Sequence, residues 1–186
     1  MKITMVTSNA GKAAEVAAFF GGYLEVSHVE LDVPEHRSND IAEIAREKAR
    51  YAYRQLNIPL IVDDTGFFID ALHGFPGPYA AYVLKSISNA GILKLMEGRS
   101  DRNARFTTGI AYADECGIEV FTGMLEGKIA HSPCGNNGFG FDPIFSLGKK
   151  TLAEISIDEK SRISHRARAL FSFHDWFISY NGKNRG

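Results

Sequence analysis

The sequence predicts an α/β protein built on a mixed β-sheet with flanking helices. Two observations support this fold class. Strand-like and helix-like stretches alternate along the 186 residues, as in a sheet covered by helices. In addition, residues 105–113 and 119–130 both have alternating patterns and flank the turn sequence Asp-Glu-Cys-Gly. This arrangement predicts a β-hairpin, and because a hairpin is antiparallel, the sheet is expected to be mixed.

The first 31 residues are predicted to form a strand, a helix and a second strand. Residues 2–7 form the first strand, and turn-forming residues follow at positions 8–11. A helix from residue 12 to about residue 20 would then bury an apolar stripe, and residues 23–31 would form the second strand. The stripe consists of Val16, Phe19 and Phe20.

A long helix is predicted from about Asp40 to Leu56. Asp40 and Glu43 have the spacing of a capping box, in which each side chain bonds the backbone of the other residue. Residues 60–63 are then predicted to form a short strand that is apolar until its acidic end, as in a sheet covered on both faces. The apolar face of the helix would carry Ile41, Ile44, Ala45, Ala52 and Leu56.

The second half of the chain is predicted to add a helix, the hairpin, a glycine-rich loop and two closing helices. The helix spans residues 88–96, and the loop contains G-N-N-G-F-G-F-D-P at residues 135–143. The closing helices begin at about Asp158 and Ser164. Because no repeat, low-complexity tract or long linker interrupts this order, residues 1–186 are expected to form a single domain.

The composition favours a cytoplasmic protein that binds neither nucleic acid nor a membrane. Apolar residues make up 45% of the chain, charged residues 23%, and the net charge of −1 provides no basic field for a polyanion. The beginning of the chain is too short and too quickly polar for a signal peptide, and no apolar stretch approaches the roughly 20 residues of a membrane span. Two cysteines without C-x-x-C spacing argue against structural zinc and a disulfide framework.

The segment between the first strand and the first helix is a candidate phosphate site. Backbone N–H groups and the helix dipole attract phosphate at such a junction, and the lysine adds a positive charge. The segment is not a Walker A loop, because Ala13 follows the Gly-Lys pair and the leading glycine is missing. The alternative is an ordinary strand–turn–helix connection with a surface lysine. The segment consists of Thr7, Ser8, Asn9, Ala10, Gly11 and Lys12.

Asp63 and Asp64 end an apolar run, where a charge is costly to bury unless something pairs with it. Consecutive strand residues point to opposite faces, so only one of the two carboxylates can face a given site. Ligands of α/β sheets bind beyond the carboxyl ends of strands, and Mg²⁺ prefers a few carboxylates together with water and phosphate. Glu35 lies in a predicted loop and is a candidate second metal carboxylate. The alternative is a turn in which Asp64 or Thr65 caps the backbone around Gly66.

Lys48 and the glycine-rich loop supply two further candidates. Lys48 lies beside the apolar face of its helix, so it either points towards the sheet or reaches water at the edge of that face. In the loop, glycines allow the backbone to approach a ligand, while Phe139 and Phe141 offer flat surfaces for base stacking. The alternatives are that these rings fill the core and that Asp142 is a turn residue before a proline.

The last predicted helix begins with two basic residues. Ser164 is its expected N-cap, which places His165 and Arg166 in the first turn, where the helix dipole disfavours cations. A local rule broken in this way often marks a functional site. The alternative is a solvated basic helix face, which fits Arg168.

Four of these segments together resemble the inosine triphosphate pyrophosphatase family, whose members hydrolyse nonstandard purine nucleoside triphosphates. The segments are T-S-N-A-G-K at residues 7–12, V-D-D-T-G and F-P-G-P-Y within residues 62–79, G-F-G-F-D-P-I-F at residues 138–145, and A-E-I-S-I-D-E-K-S-R-I-S-H-R-A-R-A-L at residues 153–170. They follow one another at compatible spacing and cover nearly the whole chain. The resemblance implies an elongated, two-lobed α/β fold around a long mixed sheet, with the nucleotide cleft between the lobes, and usually a homodimer.

The resemblance also implies roles for the residues that match the family motifs. Glu35 and Asp64 would bind Mg²⁺, Asp64 would be the catalytic base, and Lys48 corresponds to a family lysine on the same helix. Two positions depart from the motifs, because Phe141 stands where Trp or Tyr is common and P-E-H-R replaces P-E-[IY]-Q around Glu35. The substrate-binding residues would be residues 7–12 together with Thr65, Phe139, Gly140, Phe141, Asp142, Lys160, His165 and Arg166.

The implied reaction is Mg²⁺-dependent hydrolysis of ITP, dITP and XTP to the monophosphate and pyrophosphate. Asp64 would orient or deprotonate the water that attacks the α-phosphorus, and Asp63, facing the other way, would support the site. Arg166 and His165 would donate to O6 of hypoxanthine or xanthine and reject adenine, which presents an amino group at that position. Asp142 is expected to anchor Arg166 or the glycine-rich loop.

Three alternatives remain open on the sequence. A Maf-type pyrophosphatase would keep the phosphate segment but is not expected to carry the Ser-His-Arg sequence near its end. A nucleotide-binding regulator would bind a triphosphate without hydrolysing it and would need no base such as Asp64. If the motifs are only turns and caps, no ligand would stabilise the protein, whereas a site filled to 100 times its dissociation constant adds about 2.7 kcal/mol.

Overall fold

The computed structural model describes residues 2–183, which form one mixed β-sheet covered by helices. This architecture confirms the fold class predicted from the sequence. The strands are β1 (Lys2–Val6), β2 (Glu25–Val29), β3 (Leu60–Ile69), β4 (Pro76–Gly77), β5 (Asn103–Asp114), β6 (Gly117–Ile129), β7 (Phe145–Leu147) and β8 (Lys150–Thr151). The α-helices are α1 (Ala10–Phe20), α2 (Ile41–Leu56), α3 (Ala80–Leu95), α4 (Ile157–Ile163) and α5 (His165–Lys183).

The sheet has the strand order β2-β1-β3-β5-β6-β7-β8, and β4 pairs with β3 outside this path. Strands β2, β1 and β3 are parallel to one another, whereas every pairing from β3 to β8 is antiparallel. The predicted hairpin is β5–β6, whose strands begin and end within a few residues of the expected positions. The sheet is therefore mixed, as the hairpin requires.

Helices α2 and α5 cover opposite faces of the sheet, as alternation along β5 shows. Ile110 and Tyr112 belong to an apolar cluster with side chains of α1 and α5, including Phe173. Ala111 and Ala113 belong instead to a cluster with the alanines of α2. Because consecutive strand residues point to opposite faces, α1 and α5 share one face and α2 lies on the other. No helix within residues 2–183 is both long and apolar enough to cross a membrane.

The prediction of a short strand over residues 60–63 is wrong, because β3 spans ten residues. Its pairing with β1 ends at Val62, but its pairing with β5 continues from Leu60 to Ile69. The antiparallel partner thus keeps the chain extended beyond the point where the apolar run stops. Asp63 and Asp64 consequently lie in the middle of a strand, just past the end of β1, and not in a turn.

The structure also corrects two helix predictions. Helix α3 begins at Ala80, so the predicted helix over residues 88–96 is only its second half, and Ser88 has a non-helical conformation with φ of 57° at the break. The residue before α3 is Tyr79, which makes no side-chain cap, so the local sequence carries no start signal. At α2, Asp40 caps Ala42 N as an N-cap should, but the Glu43 carboxylate bonds Ser38 rather than completing a capping box.

Candidate active site

All of the site residues predicted from the sequence line one cleft, which has a volume of about 1330 Å³. This volume exceeds the roughly 300–1,000 Å³ of an ordinary small-molecule pocket and leaves room for a large ligand. The lining residues include Thr7, Ser8, Asn9, Ala10, Gly11, Lys12, Glu35, Lys48, Asp64, Thr65, Phe139, Gly140, Phe141, Asp142, Lys160, His165 and Arg166. Segments that are distant in sequence therefore meet at one place, although their individual roles stay predictions.

The candidate phosphate segment forms the beginning of α1. Asn9 is the N-cap, since its side chain accepts a hydrogen bond of 3.1 Å from Lys12 N, and its own N–H donates to Thr7 Oγ1 over 3.1 Å. This cap starts the helix at Ala10, two residues earlier than predicted. The N–H groups of Ala10 and Gly11 lie in the first turn, where they have no intrahelical acceptor. They are suited to bind an anion in the cleft.

Asp63 and Asp64 point to opposite faces of β3, as predicted from strand geometry. On the face of α1 and α5, Asp63 lies 3.0 Å from Lys12 Nζ and accepts a 2.9 Å bond from Arg166 Nε. On the face of α2, Asp64 accepts a 2.6 Å bond from Lys48 Nζ. Burial alone would raise the pKa of Asp63, but the two cations outweigh burial and hold its pKa below the usual value.

Lys48 points towards the sheet and joins two carboxylates. Its Nζ lies 2.6 Å from Asp64 Oδ1 and 3.0 Å from Glu35 Oε2. The Glu35 side chain is 82% exposed, whereas that of Asp64 is only 11% exposed, so Glu35 borders solvent and Asp64 lies deeper. Burial alone would lower the pKa of Lys48, but these carboxylates outweigh it and raise the pKa. Lys48 therefore stays protonated, and its charge offsets those of Asp64 and Glu35.

A second group of buried charges lies on the face of α1 and α5. Lys160 Nζ is 2.5 Å from Glu15 Oε1 and 2.5 Å from Asp142 Oδ2. Arg166 bonds Glu15 as well as Asp63, so Glu15 connects the two cations. Buried charges are tolerated when each has an opposite partner, and every member of this group has one. Burial still raises the pKa of Asp142 above its usual value, although Lys160 opposes the shift.

Arg166 occupies a different position from the one expected of a residue that reads a base directly. It is 2% exposed, and its guanidinium contacts Asp63, Glu15 and Thr65. Burial would lower its pKa, but Asp63 and Glu15 raise it, so the group stays charged. These contacts use one N–H of each guanidinium nitrogen, so direct donation to a base would have to come from the second N–H of Nη1 or Nη2.

A chain of polar contacts leads from Arg166 to the imidazole of His165. Arg166 Nη2 lies 3.1 Å from Thr65 Oγ1, which lies 2.7 Å from Thr108 Oγ1, which lies 2.6 Å from His165 Nδ1. Burial, followed by the positive charge of Arg166, holds the pKa of His165 well below its usual value. The ring is therefore neutral at neutral pH. Ser164 caps α5 by accepting from Ala167 N, as predicted.

The two phenylalanines of the glycine-rich loop have different surroundings. Phe141 is 4% exposed and stacks on Phe67 with ring centroids 4.7 Å apart, so the structure corrects its prediction as an open stacking surface in favour of the core alternative. Phe139 lies beneath Lys160, whose Nζ is 4.7 Å from the ring centroid. The same ring approaches Gly11 so closely that a Cβ there would lie 2.5 Å away, so any larger residue at this first-turn position would displace the ring.

Asp142 and Gly140 hold the loop in place. Asp142 Oδ2 accepts a 2.7 Å bond from Phe139 N and also binds Lys160, which confirms the expected anchoring of the loop but not of Arg166. The carbonyl of Gly140 accepts a 3.1 Å bond from Asn89, next to the break in α3. The loop is thus held at two adjacent backbone positions, Phe139 and Gly140.

Two buried residues of the site were missed in the sequence. Glu15 lies one residue before Val16 of the predicted apolar stripe, and an acidic residue so close to a buried stripe is the signal that was available. Thr108 lies two residues after Phe106 and two before Ile110, both of which are buried. Because side chains alternate along a strand, the Thr108 hydroxyl points to the same buried face of β5 as Phe106 and Ile110. In both cases the partners are remote in sequence, so the pattern indicates burial but not its purpose.

Comparison with known proteins identifies close similarity over almost the entire chain. A profile described as the Ham1 family matches residues 3–176. A dITP/XTP pyrophosphatase of Methanopyrus kandleri is 46% identical over 181 residues, which cover 95% of this chain and 96% of that protein. One from Methanosarcina mazei is 45% identical over 180 residues, which cover 95% of this chain and 97% of that protein.

Solved structures show the same similarity in three dimensions. The Ham1 protein of Staphylococcus aureus superposes with a TM-score of 0.82 at 32% identity, over 97% of this chain and 100% of the other. A HAM1 protein from Coxiella burnetii superposes with a TM-score of 0.83 at 30% identity, over 96% of this chain and 99% of the other. Both the sequence and the fold are therefore shared over almost the whole chain.

Proposed function

Because the chain belongs to the Ham1 family, we infer that it is a nucleoside triphosphate pyrophosphatase. It hydrolyses nonstandard purine nucleoside triphosphates, such as ITP, dITP and XTP, to the monophosphate and pyrophosphate. Relatives that share 46% and 45% of their residues over nearly the whole chain bear the name dITP/XTP pyrophosphatase. The observation that carries the inference is the meeting of the phosphate segment, the carboxylate–lysine group and the Ser-His-Arg helix in one cleft.

We propose that the metal used is Mg²⁺, held by Asp64 and Glu35. Both ligands are carboxylates that converge on one cation, Lys48 Nζ, at 2.6 and 3.0 Å, so the oxygens suit a hard divalent ion. No group of three or more His, Cys, Asp or Glu residues within residues 2–183 is suited to hold a metal without help. This donor set fits Mg²⁺, which usually combines one or two carboxylates with water and substrate phosphates. Bound there, the ion would neutralise charge on the phosphates.

In the proposed reaction, Asp64 acts as the base. Its carboxylate orients a water molecule and takes its proton while the water oxygen bonds to the α-phosphorus. The bond from that phosphorus to the bridging oxygen breaks, and pyrophosphate leaves with the electron pair. Lys48, 2.6 Å from Asp64, and Lys12, at the start of α1, supply positive charge to the phosphates. The first-turn N–H groups of α1 add donors for the same oxygens.

Selection of the base is proposed to depend on the opposite side of β3. Hypoxanthine and xanthine present an O6 acceptor where adenine presents an amino donor, so a fixed donor distinguishes them. Thr65, His165 and Arg166 line the cleft on this side, and Arg166 is held by Asp63 and Glu15. A site built for one hydrogen bond rejects the opposite pattern strongly, because its buried groups are otherwise left unpaired.

We also propose that the protein works in the cytoplasm as a single two-lobed domain and as a homodimer. Exposed aromatic side chains at the beginning of α3, Tyr79 and Tyr82, together with Phe75, support an interface between copies. Exposed aromatic groups of this kind are enriched in protein interfaces. Light scattering after size-exclusion chromatography tests the dimer, since a mass near the 20.5 kDa of one chain would contradict it.

A substrate panel tests the proposed function. The purified protein is incubated with Mg²⁺ and ITP, dITP, XTP, GTP, ATP or pyrimidine triphosphates, and pyrophosphate and orthophosphate are measured separately. Pyrophosphate from ITP and XTP, with ATP almost unchanged and activity lost on adding EDTA, supports the proposal. Orthophosphate as the first product would contradict attack at the α-phosphorus. Stabilisation by ITP without turnover would instead indicate a nucleotide-binding regulator.

A further inference from the structure

Four side chains from three elements form a continuous hydrogen-bonded path inside the protein. Thr65 on β3 and Thr108 on β5 are directly opposite each other in the strand register. Their hydroxyl oxygens are 2.7 Å apart, and the path continues at one end to Arg166 Nη2, at 3.1 Å, and at the other to His165 Nδ1, at 2.6 Å. Thr108 is completely buried, so water does not reach its hydroxyl.

The chemistry of the end groups sets the direction of the protons. Arginine can only donate, so Thr65 Oγ1 accepts from Arg166. Among the hydrogen bonds within residues 2–183, the remaining partner of Thr65 Oγ1 is Thr108, and the remaining partner of Thr108 Oγ1 is His165. If Thr65 donates to Thr108 and Thr108 donates to Nδ1, both hydroxyl protons find an acceptor. In the reverse direction Thr65 Oγ1 accepts from both Arg166 and Thr108, and its own proton has no acceptor among these groups, so this direction is disfavoured.

This direction determines the state of the imidazole ring. When Nδ1 accepts a hydrogen bond in a neutral ring, the proton is on Nε2. Burial and the nearby Arg166 lower the pKa of His165, which supports the neutral form. The ring also stacks on Phe106, with centroids 4.8 Å apart, so this packing fixes the orientation of its plane. Nε2 is thereby left as the donor that His165 can offer within the cleft.

We propose that the Thr65–Thr108 hydroxyl pair is a specificity device that locks His165 in the Nε2–H tautomer and so makes it a donor towards the purine base. This inference rests on the proposed function, because it explains how the cleft distinguishes an O6 acceptor from the amino group of adenine. A histidine free to change tautomer would accept from adenine as readily as it donates to hypoxanthine. Thr65 and Thr108 are positioning residues, acting through His165.

The ring state is measured directly by ¹⁵N NMR of the full-length protein labelled at histidine. Protonated and unprotonated imidazole nitrogens have distinct ¹⁵N chemical shifts, and His165→Gln assigns the signals of this ring among the six histidines. The expected result for the wild-type protein at pH 7.5 is a protonated Nε2 and an unprotonated Nδ1. A protonated Nδ1 would overturn the proposal, whatever the enzyme does with its substrates.

The selectivity is measured with three variants. Thr108→Val removes the hydroxyl at nearly constant volume, and we expect the ratio of kcat/KM for ITP to that for ATP to fall at least 10-fold, with the ¹⁵N shifts of a mixed tautomer. Thr108→Ser restores the hydroxyl and should restore both readouts. Thr107→Val changes the neighbouring threonine, which has no side-chain partner in the path, and should leave both unchanged.

Separate outcomes distinguish this proposal from the function on which it rests. If Thr108→Val keeps the wild-type ratio and the wild-type tautomer, the hydroxyl pair is not a specificity device. If Thr108→Val does not fold, Thr65→Val interrupts the same path one residue earlier and takes its place. A wild-type protein with the expected tautomer but no hydrolysis of ITP would contradict the proposed function while leaving the ring state confirmed.

Discussion

Asp63 and Arg166, 103 positions apart in the sequence, are joined by a bond of 2.9 Å between Oδ2 and Nε. The bond connects the middle of β3 to the first turn of α5, where a cation is disfavoured by the helix dipole. Asp63 and Glu15 compensate for that unfavourable position by supplying negative charge. The next residue along the strand, Asp64, has no part in this pairing and contacts Lys48 instead.

Asp63→Asn is predicted to destabilise the protein strongly. The variant keeps the shape of the side chain but removes the charge that pairs Lys12 and Arg166, and breaking a buried ion pair costs about 3–5 kcal/mol. Urea denaturation followed by circular dichroism measures the free energy of unfolding. A loss below about 1 kcal/mol would show that Glu15 alone suffices for Arg166.

Asp64→Asn is predicted to lose activity but to keep its stability, in contrast to Asp63→Asn. Turnover of ITP should fall about 10²–10⁴-fold, since the proposed general base is lost, while the thermal midpoint stays close to that of the wild type because Glu35 still pairs with Lys48. The matched comparison with Asp63→Asn uses the same chemical change at the adjacent residue. Steady-state kinetics and a melting curve of each variant provide the measurement. Turnover near the wild-type value would remove Asp64 from the mechanism.

Gly123→Ala is predicted to displace α5 from the sheet. A Cβ on Gly123 would lie 2.1 Å from the carbonyl oxygen of His165 and 2.5 Å from Ala169 N, and these backbone atoms cannot move without the helix. We expect a loss of about 1–3 kcal/mol in unfolding free energy, together with a lower kcat/KM for ITP.

The control for this substitution lies on the same helix. At Gly182 an added Cβ meets nothing within 4 Å, so Gly182→Ala should leave stability unchanged or slightly higher. Chemical denaturation of both variants compares them directly. Equal stability of the two proteins would mean that the helix and β6 accommodate the methyl group without separating.

Stability is predicted to fall as the pH decreases below about 6.5, because of His165. In the unfolded chain this residue takes up a proton near pH 6.5, but burial and Arg166 lower its pKa in the folded protein. The unfolded state therefore binds more protons, and the stability present above pH 6.5 is lost as the pH falls from there towards the lower folded pKa. One proton contributes a slope of at most about 1.4 kcal/mol per pH unit.

Urea denaturation at a series of pH values between 5 and 8 measures this slope. His165→Gln removes the titrating group and should flatten the dependence between pH 5 and 6.5. The same slope in both proteins would assign the effect to another group.

Features with local causes were predictable from the sequence. Asp40 and Ser164 were expected as N-caps, and both cap their helices. The hairpin followed from strand alternation around a glycine-containing turn. In each case the residues that decide the structure are close together in the chain. The same holds for the opposite directions of Asp63 and Asp64, which depend only on the two-residue period of a strand.

Features decided by distant partners could not be predicted in this way. The length of β3 depends on β5, about forty residues later, and the sequence of β3 contains no sign of that support. Phe141 was expected to be a stacking surface because it offers a flat ring in a glycine-rich loop, but Phe67 supplies the face against which it packs. Glu15 has its partners on α4 and α5, so only the folded chain brings an acid and two cations together.

Because Asp63 and Asp64 are adjacent in β3, their side chains point to opposite faces of the sheet and meet different partners. Both are aspartates, so nothing in their chemistry decides which one pairs with Lys12 and Arg166 and which one pairs with Lys48. Only the position of each residue in the two-residue period of β3 decides the pairing, and a register shift of one residue would exchange the faces to which the two side chains point. Insertion or deletion of a single residue between Leu60 and Asp63 would therefore disrupt both sets of ion pairs at once, whereas most substitutions in that stretch would alter only packing.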